Sequence, residues 1–370
     1  VPEEYWEVSG VKITAVETHK LTVPLIKPFK TALRVLTVSE TLVVKVRLEN
    51  GLVGHGAASP TAVITGDTLG SISGALNEVL VPLLIGQDII NYEGLCTRLN
   101  NAVVRNSSAK AALDMAIYDL VGQIHNAPLY KLLGGHKSEF ETDITVSINH
   151  VDEMVADALR AVGEGFSVLK LKVGLDARED LHRVRSIRQA VGPAVKLRLD
   201  ANQGWKAKEA IRVILAMEDA GLDVELVEQP VKAHDIEGLK QVTDSVSIPI
   251  MADESVFSPA DALRVLSLRA ADLINIKLMK AGGIHNALKI NALAESAGVE
   301  CMVGCMIENK IGVTAAAHLA AAKSNITRMD LDAPLLLTAE PIVGGITFAG
   351  PKVILPSAPG LGTEAKGTYA

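Results

Sequence analysis

The chain has 370 residues, 48% of them hydrophobic and 21% charged, with a formal net charge of −7 at pH 7. That length suits a barrel with a smaller companion domain, or two ordinary domains, and the composition is globular with ample core material. The acidic balance, with no basic run and no interleaved aromatics, argues against a nucleic-acid partner, and the densest apolar runs, such as 79–85, are far too short to span a bilayer.

The opening Val1-Pro2-Glu3-Glu4-Tyr5 lacks the basic and apolar segments of a secretory signal. Cys96, Cys301 and Cys305 supply neither a disulfide framework nor a complete zinc set, so a reduced cytoplasmic enzyme is expected. Residues 11–60 read as a strand meander, in which the β run 41–48 turns at Glu49-Asn50-Gly51 into 51–56. Residues 27–34 are too polar for core and are placed like a loop. Three helices follow. One runs from Asp67-Thr68 to Ile85 and one over 92–102. The third is capped by Ser107-Ser108 and runs 109–124, with Ala112, Met115, Ala116, Leu120 and Val121 on one face. Lys131 to Gly135 close this α+β segment, assigned to residues 1–137.

From Thr142 the pattern becomes strict strand–helix alternation. Strand 142–148 precedes helix 151–163, which stops at Gly163 and Gly165. Further helices are predicted at 177–191, 207–220, 235–242, 259–268, 283–297 and 310–322. Short apolar runs between them each deliver a charged residue: Lys172, Asp200, Glu228, Asp253 and Lys277. The steps are 28, 28, 25 and 24 residues, the length of one strand with its crossover helix. Strands at 300–303, near Cys305, and 326–329, before Asp330, complete eight. The pattern predicts a TIM-type barrel over 138–334, with its strand ends gathered on one face. The β-like runs 342–348 and 352–354 and the Gly/Pro-rich tail are assigned to a C-terminal segment, 335–370, returning to the first domain.

Asp200, Glu228 and Asp253 offer the hard oxygen ligands that Mg²⁺ prefers. Singly, each could be a first-turn helix acid; three in phase favour a metal. Lys172 precedes the acids and Lys277 follows them, which places two amines on opposite sides of a substrate held at the metal. A lysine serves as a base when desolvation or a neighbouring cation lowers its pKa towards roughly 7–8. Lys170, on the same side of its strand as Lys172, supplies such a cation. One lysine then removes the proton α to a carboxylate, Mg²⁺ and Lys170 stabilise the enediolate, and the other lysine returns a proton to the opposite face.

The segments Lys170-Leu171-Lys172, Asp200-Ala201-Asn202-Gln203-Gly204-Trp205, Glu228-Gln229-Pro230, Asp253-Glu254-Ser255 and Lys277-Leu278-Met279-Lys280-Ala281-Gly282-Gly283 resemble the muconate-lactonising-type subgroup of the enolase superfamily. The resemblance spans essentially the whole chain. It implies an α/β fold, a modified TIM barrel of (β/α)7β form with an α+β capping domain, and Mg²⁺-dependent carbon-acid chemistry. Asp330 and Asp332, two residues apart, suit an ammonium group, and this Asp-x-Asp resembles that of the dipeptide epimerases. Carried over residue by residue, the resemblance puts Thr145, Cys305 and Ile307 against the substrate and Arg34 opposite an acidic side chain.

The implied activity is that of an isomerase inverting the C-terminal residue of an L-Ala-D/L-Glu-type dipeptide. N-Succinyl amino acid racemase, o-succinylbenzoate synthase or muconate-cycloisomerase-like chemistry is the alternative on the same fold. A Schiff-base aldolase using Lys277, or a non-catalytic barrel, is the alternative outside it. No membrane partner is expected, and a homo-oligomer is, since symmetric assemblies are common. His285 is expected at the surface, His318 as a satisfied or partly exposed histidine on an apolar helix and Cys305 as an inert small residue.

Overall fold

The computed structural model describes residues 10–365; the acidic opening segment and the last five residues of the expected C-terminal segment lie outside the described residues. Strands β1 (Ile13–Lys30) and β2 (Val35–Leu48) make a long antiparallel hairpin, and β3 (Val53–Ala58) pairs back onto β2. Residues 27–30 belong to β1 and not to a loop, because Phe29 and Lys30 find cross-strand partners in Leu36 and Val35. The turn itself is 31–34, closed by the Thr31 N–H donating to the Arg34 carbonyl at 3.0 Å.

Helix α1 (Leu69–Gly74), capped by the Thr68 hydroxyl, gives way to a π-helical turn over 75–80 and a 3-10 turn over 81–83. The single helix expected through Ile85 is thus broken, and Pro82, which has no N–H to donate, ends the regular ladder. Helix α2 (Tyr92–Ala102) lies where the sequence places it. Helix α3 (Ser107–Ile124) follows Asn106, which has φ +49°, and has no serine cap. The Ser108 N–H is answered instead by Asp67 Oδ2 at 2.9 Å, a carboxylate forty-one residues back. Nor does α3 have one apolar face: residues 108–122 are buried all round, sandwiched between the sheet and the barrel. Gly54 and Gly56 of β3 let it approach closely; a Cβ on Gly56 would stand 1.8 Å from the Ala112 carbonyl oxygen. The short α4 (Leu129–Leu132) follows.

After β4 (Glu139–Glu141) the alternation begins with β5 (Ile144–Val146), α5 (Val151–Gly163), β6 (Val168–Lys172), α6 (Ala177–Val191), β7 (Lys196–Asp200) and α7 (Ala207–Asp219). It continues through β8 (Val224–Glu228), α8 (Ile236–Thr243), β9 (Ile250–Ala252), α9 (Pro259–Leu268) and β10 (Leu273–Lys277). It ends with α10 (Leu278–Ala281), α11 (Ile284–Ser296), β11 (Glu300–Gly304), α12 (Lys310–Ala322) and β12 (Ile326–Asp330). The eight strands β5 to β12 run parallel in chain order, a nearly closed barrel. Between β12 and β5 no ladder forms. That seam is bridged by the Asp143 N–H on the Met329 carbonyl (3.3 Å) and the Leu331 N–H on Thr142 Oγ1 (2.8 Å). Strand β5 is correspondingly shorter than expected, since Thr142 and Asp143 serve the seam.

The chain ends in β13 (Ile342–Gly344), β14 (Thr347–Ala349), β15 (Lys352–Ile354) and β16 (Thr363–Ala365). Strand β15 pairs with β14 and β4, and the tail reaches the capping helices: the Leu361 N–H donates to Asp119 Oδ1 at 2.8 Å. Among the described residues no helix is long and apolar enough to cross a membrane.

Candidate active site

Strand register sets the site. Lys172 pairs with Asp200 and Asp200 with Glu228, so three charged residues stand in one row at the C-terminal ends of β6, β7 and β8. On the far side, Lys277 pairs with Gly304, and Gly304 with Asp330. All of these side chains are buried. Lys172 Nζ lies 2.6 Å from Asp200 Oδ2, and Lys277 Nζ lies 2.8 Å from Asp253 Oδ2. Two residues before Lys172, and so on the same side of β6, Lys170 extends its ammonium to Glu228 Oε2 (2.7 Å), Asp330 Oδ2 (2.6 Å) and Asp200 Oδ2 (3.2 Å).

Burial opposes every one of these charges, so partners decide their state. Burial pushes Glu228 up to about 7, helped by the neighbouring Asp200. Asp200 is drawn down to about 2 despite burial, by Lys172 and Lys170. Burial favours a neutral Lys277, but Asp253 outweighs it and holds the amine well above the usual lysine value. Glu254, next to Asp253, is pushed up to about 8 by burial and by Asp253 and Asp200.

The acids fit a hard cation. Glu254 Oε2 and Asn202 Oδ1 accept no hydrogen bond, while Glu228 Oε2 and Asp253 Oδ1 meet only the ammonium groups of Lys170 and Lys280, each at 2.7 Å. Asp200, Glu228, Asp253 and Glu254 bring four buried carboxylates to adjoining strand ends, an all-oxygen donor set of the kind a divalent ion takes, balanced in this structure by Lys170, Lys172, Lys277 and Lys280. Among the described residues no three His, Cys, Asp or Glu side chains converge at metal-binding distance. The lysines account for this: an ammonium stands against each acid.

The substrate-facing residues expected from the sequence meet at one narrow pocket of ≈ 40 Å³. Its wall includes Arg34, Thr145, Lys172, Lys277, Cys305, Ile307, Asp330 and Asp332. Lys170, Asp200, Glu228 and Asp253 do not reach that wall and lie buried behind it. The Thr145 N–H donates to Asp332 Oδ2 at 2.7 Å, and burial together with Asp330 pushes Asp332 up to about 6. Arg34, lowered to about 10 by burial, has no carboxylate partner among the described residues. Burial raises the Cys305 thiol well above its usual value, which leaves it inert as a nucleophile.

Several residues escaped the sequence reading. Phe29 covers the pocket and lies 5.8 Å under Lys172 Nζ. Asn275 donates to Glu228 Oε1 at 2.7 Å. Lys280 holds Asp253 Oδ1 at 2.7 Å and donates to the Val256 and Asn275 carbonyls. Asn275 stands two residues before Lys277, a spacing that could have marked it. His285 is buried and not at the surface, because α11 packs against α3; its Nδ1 lies 3.5 Å from the Tyr118 hydroxyl. His318 is buried and only half satisfied: its Nδ1 accepts the Tyr130 N–H at 3.0 Å, while its Nε2 has no hydrogen-bond partner among the described residues.

Comparison with known proteins places the chain's two parts in known families. Residues 13–134 match the mandelate racemase / muconate lactonizing enzyme N-terminal domain, and residues 153–369 match the enolase C-terminal domain-like family. The chain is 55% identical to the L-Ala-D/L-Glu epimerase of Clostridium acetobutylicum over 93% of its own length and 96% of that protein. It superposes with a TM-score of 0.94 on a substrate-liganded complex of the Bacillus subtilis L-Ala-D/L-Glu epimerase, at 55% identity, covering 95% of this chain and 98% of that one. The Enterococcus faecalis dipeptide epimerase complexed with Mg and L-Leu-L-Tyr gives 0.92 at 45% identity, covering 95% and 99%.

Proposed function

The chain belongs to the mandelate racemase / muconate lactonizing enzyme family of the enolase superfamily, and we propose that it is a Mg²⁺-dependent dipeptide epimerase of the L-Ala-D/L-Glu type. The observation that carries the dipeptide reading is the pair Asp330 and Asp332. Asp330 has one ion-pair partner, Lys170, and Asp332 has none among the described residues, so the pair of buried carboxylates can take a substrate α-ammonium. Arg34, at the same pocket and without an acidic partner, suits a glutamate side chain.

Asp200, Glu228 and Asp253 would hold Mg²⁺, whose charge draws electron density from the substrate carboxylate and acidifies its α-proton. Lys277 stays protonated chiefly through Asp253, at 2.8 Å, with Glu228 Oε1 further off at 3.9 Å. With those acids engaged by a cation, the buried amine loses the field that keeps it charged and can accept a proton. Lys172 and Lys277 face the α-carbon from opposite sides of the barrel mouth, so one removes the proton and the other returns one to the opposite face. Asp330 and Asp332 anchor the ammonium end, and Lys170 keeps Asp330 in place through the 2.6 Å contact.

The test is a dipeptide library incubated with enzyme and Mg²⁺ in D₂O and read by mass. L-Ala-L-Glu gains one deuterium per turnover and yields L-Ala-D-Glu, whereas Asp330→Asn with Asp332→Asn loses that activity. Deuterium uptake by N-succinyl amino acids and by no dipeptide would overturn the reading, as would unchanged dipeptide turnover in the double variant.

A further inference from the structure

The two lysines read as opposed bases are anchored by different parts of the molecule. Behind Lys172 the chain passes through Val173 to Gly174, whose N–H donates to Asp180 Oδ2 at 2.8 Å. Asp180 lies on α6, and its oxygens also receive the Trp205 indole N–H at 3.2 Å and Arg183 Nη1 at 2.9 Å. All of these partners belong to the barrel.

Behind Lys277 the anchor comes from the capping domain. The single turn of α10 leads to Gly282 and Gly283, with φ +82° and +119°, and then to α11. Gly283 is the N-cap of α11 and has no side chain to offer its first N–H groups. Asp114, on the buried helix α3, supplies the cap from across the domain boundary. It accepts the Ile284 N–H at 2.5 Å through Oδ1 and the His285 N–H at 3.3 Å through Oδ2. A Cβ on Gly283 would stand 2.2 Å from Asp114 Cγ, so only glycine admits the carboxylate there.

Two lesser ties run the same way. The Ser59 N–H meets Met279 Sδ at 3.4 Å. Asn286 Nδ2 joins Asn100 Oδ1 at 3.0 Å and the Ala281 carbonyl at 2.8 Å. Asp114 itself is buried, forms no ion pair among the described residues and lies off the wall of the substrate pocket. Burying a carboxylate in this way is costly unless it is hydrogen-bonded, and what it bonds is the start of α11. Because α10 is one turn long and follows Lys277 directly, a shift of Gly282 and Gly283 carries the backbone of Lys277 with it.

We propose that Asp114 is a positioning residue for Lys277 alone. By capping α11 from the capping domain it fixes the turn on which that lysine rests, while Lys172 is set within the barrel through Asp180. Seating of the capping domain is thereby coupled to one of the two bases. The proposal rests on the two-base reading.

The experiment follows deuterium uptake at the α-carbon of unepimerised L-Ala-L-Glu and L-Ala-D-Glu, supplied separately with enzyme and Mg²⁺ in D₂O. Lys172→Met and Lys277→Met first assign each enantiomer to its lysine. Asp114→Ala is expected to lower exchange into the Lys277 enantiomer by about tenfold or more, since small misplacements of a reacting group are costly, and to leave the Lys172 enantiomer within about twofold. Should Asp114→Ala fold poorly, Asn100→Ala removes the partly buried tie to Asn286 and gives the same asymmetry at about threefold. Equal loss on both enantiomers in the folded variant, or loss on neither, overturns the positioning role while the two-base reading stands. Lysine variants that exchange both enantiomers alike overturn that reading, and the positioning role with it.

Discussion

At the level of single residues, the proposed division of labour rests on the two lysines. Lys172 and Lys277 are held by different acids, Asp200 and Asp253, on opposite flanks of Glu228. Neither can therefore take over the other's face of the substrate. Replacing either lysine with Met is expected to lower epimerisation by on the order of 10²–10⁴-fold. Each variant should still wash deuterium into the one enantiomer that its remaining lysine faces, read by mass spectrometry with L-Ala-L-Glu and L-Ala-D-Glu supplied separately. Equal exchange into both enantiomers by either variant is the result that opposed bases do not allow. This row was legible in the sequence because strand period and crossover length are both fixed by backbone geometry. The residues one layer deeper, such as Asn275, were not singled out, although they sit two positions before the visible ones.

Among elements, the outer helices of the barrel were legible almost to the residue: α5, α6, α9 and α12 all begin and end where their periodicity and flanking residues predict. Helix α3 was legible in extent but not in its cap or its packing, since a helix buried all round has no polar face to mark its orientation. Its buried Asp114 answers the Ile284 and His285 N–H groups at the start of α11, partners about 170 residues away. Close packing here predicts that Gly56→Ala costs about 1–3 kcal/mol by overpacking against the Ala112 carbonyl, measured by urea unfolding; a neutral result would show that β3 and α3 can part without penalty. On α12, burial pushes His318 down to about 4 from 6.5. The folded value lies below the unfolded one, so the stabilisation is complete above pH 6.5. It falls as pH drops from 6.5 towards 4, by about 3 kcal/mol in all, with no further loss from this group below that. His318→Asn keeps an acceptor for the Tyr130 N–H but has no proton to gain, so its unfolding free energy should lose that part of the pH slope. An unchanged slope would assign the pH dependence to other groups.

For the whole molecule, the question is what holds a barrel shut when its first and last strands form no ladder. The barrel interior divides into an apolar patch, Leu226, Met251, Leu273 and Met302, and a charged patch centred on Arg198. Arg198 Nη1 donates to Asp143 Oδ2 at 2.9 Å and to the Met329 carbonyl at 3.2 Å, one partner on each side of the seam. Its Nε donates to Glu225 Oε2 at 2.7 Å, which ties the seam to β8. Arg198 and Asp143 stand two residues before Asp200 and Thr145, so their inward direction was readable; their meeting across the seam was not, because it depends on barrel closure. Asp143 is fully buried, with Oδ1 unpartnered. Arg198→Met should therefore cost about 3–5 kcal/mol, chiefly because it leaves that carboxylate without its cation. Adding Asp143→Asn removes the stranded charge, so the double variant should be more stable than Arg198→Met alone, a non-additivity that urea unfolding of the two singles and the double resolves. Strict additivity would mean that Arg198 stabilises through packing and Glu225 alone, and that the seam is closed by its few backbone hydrogen bonds. If the clamp does close the seam, Arg198→Met should also raise KM for dipeptides more than it lowers kcat, because Asp330 and Asp332 follow directly on the Met329 carbonyl that Arg198 holds.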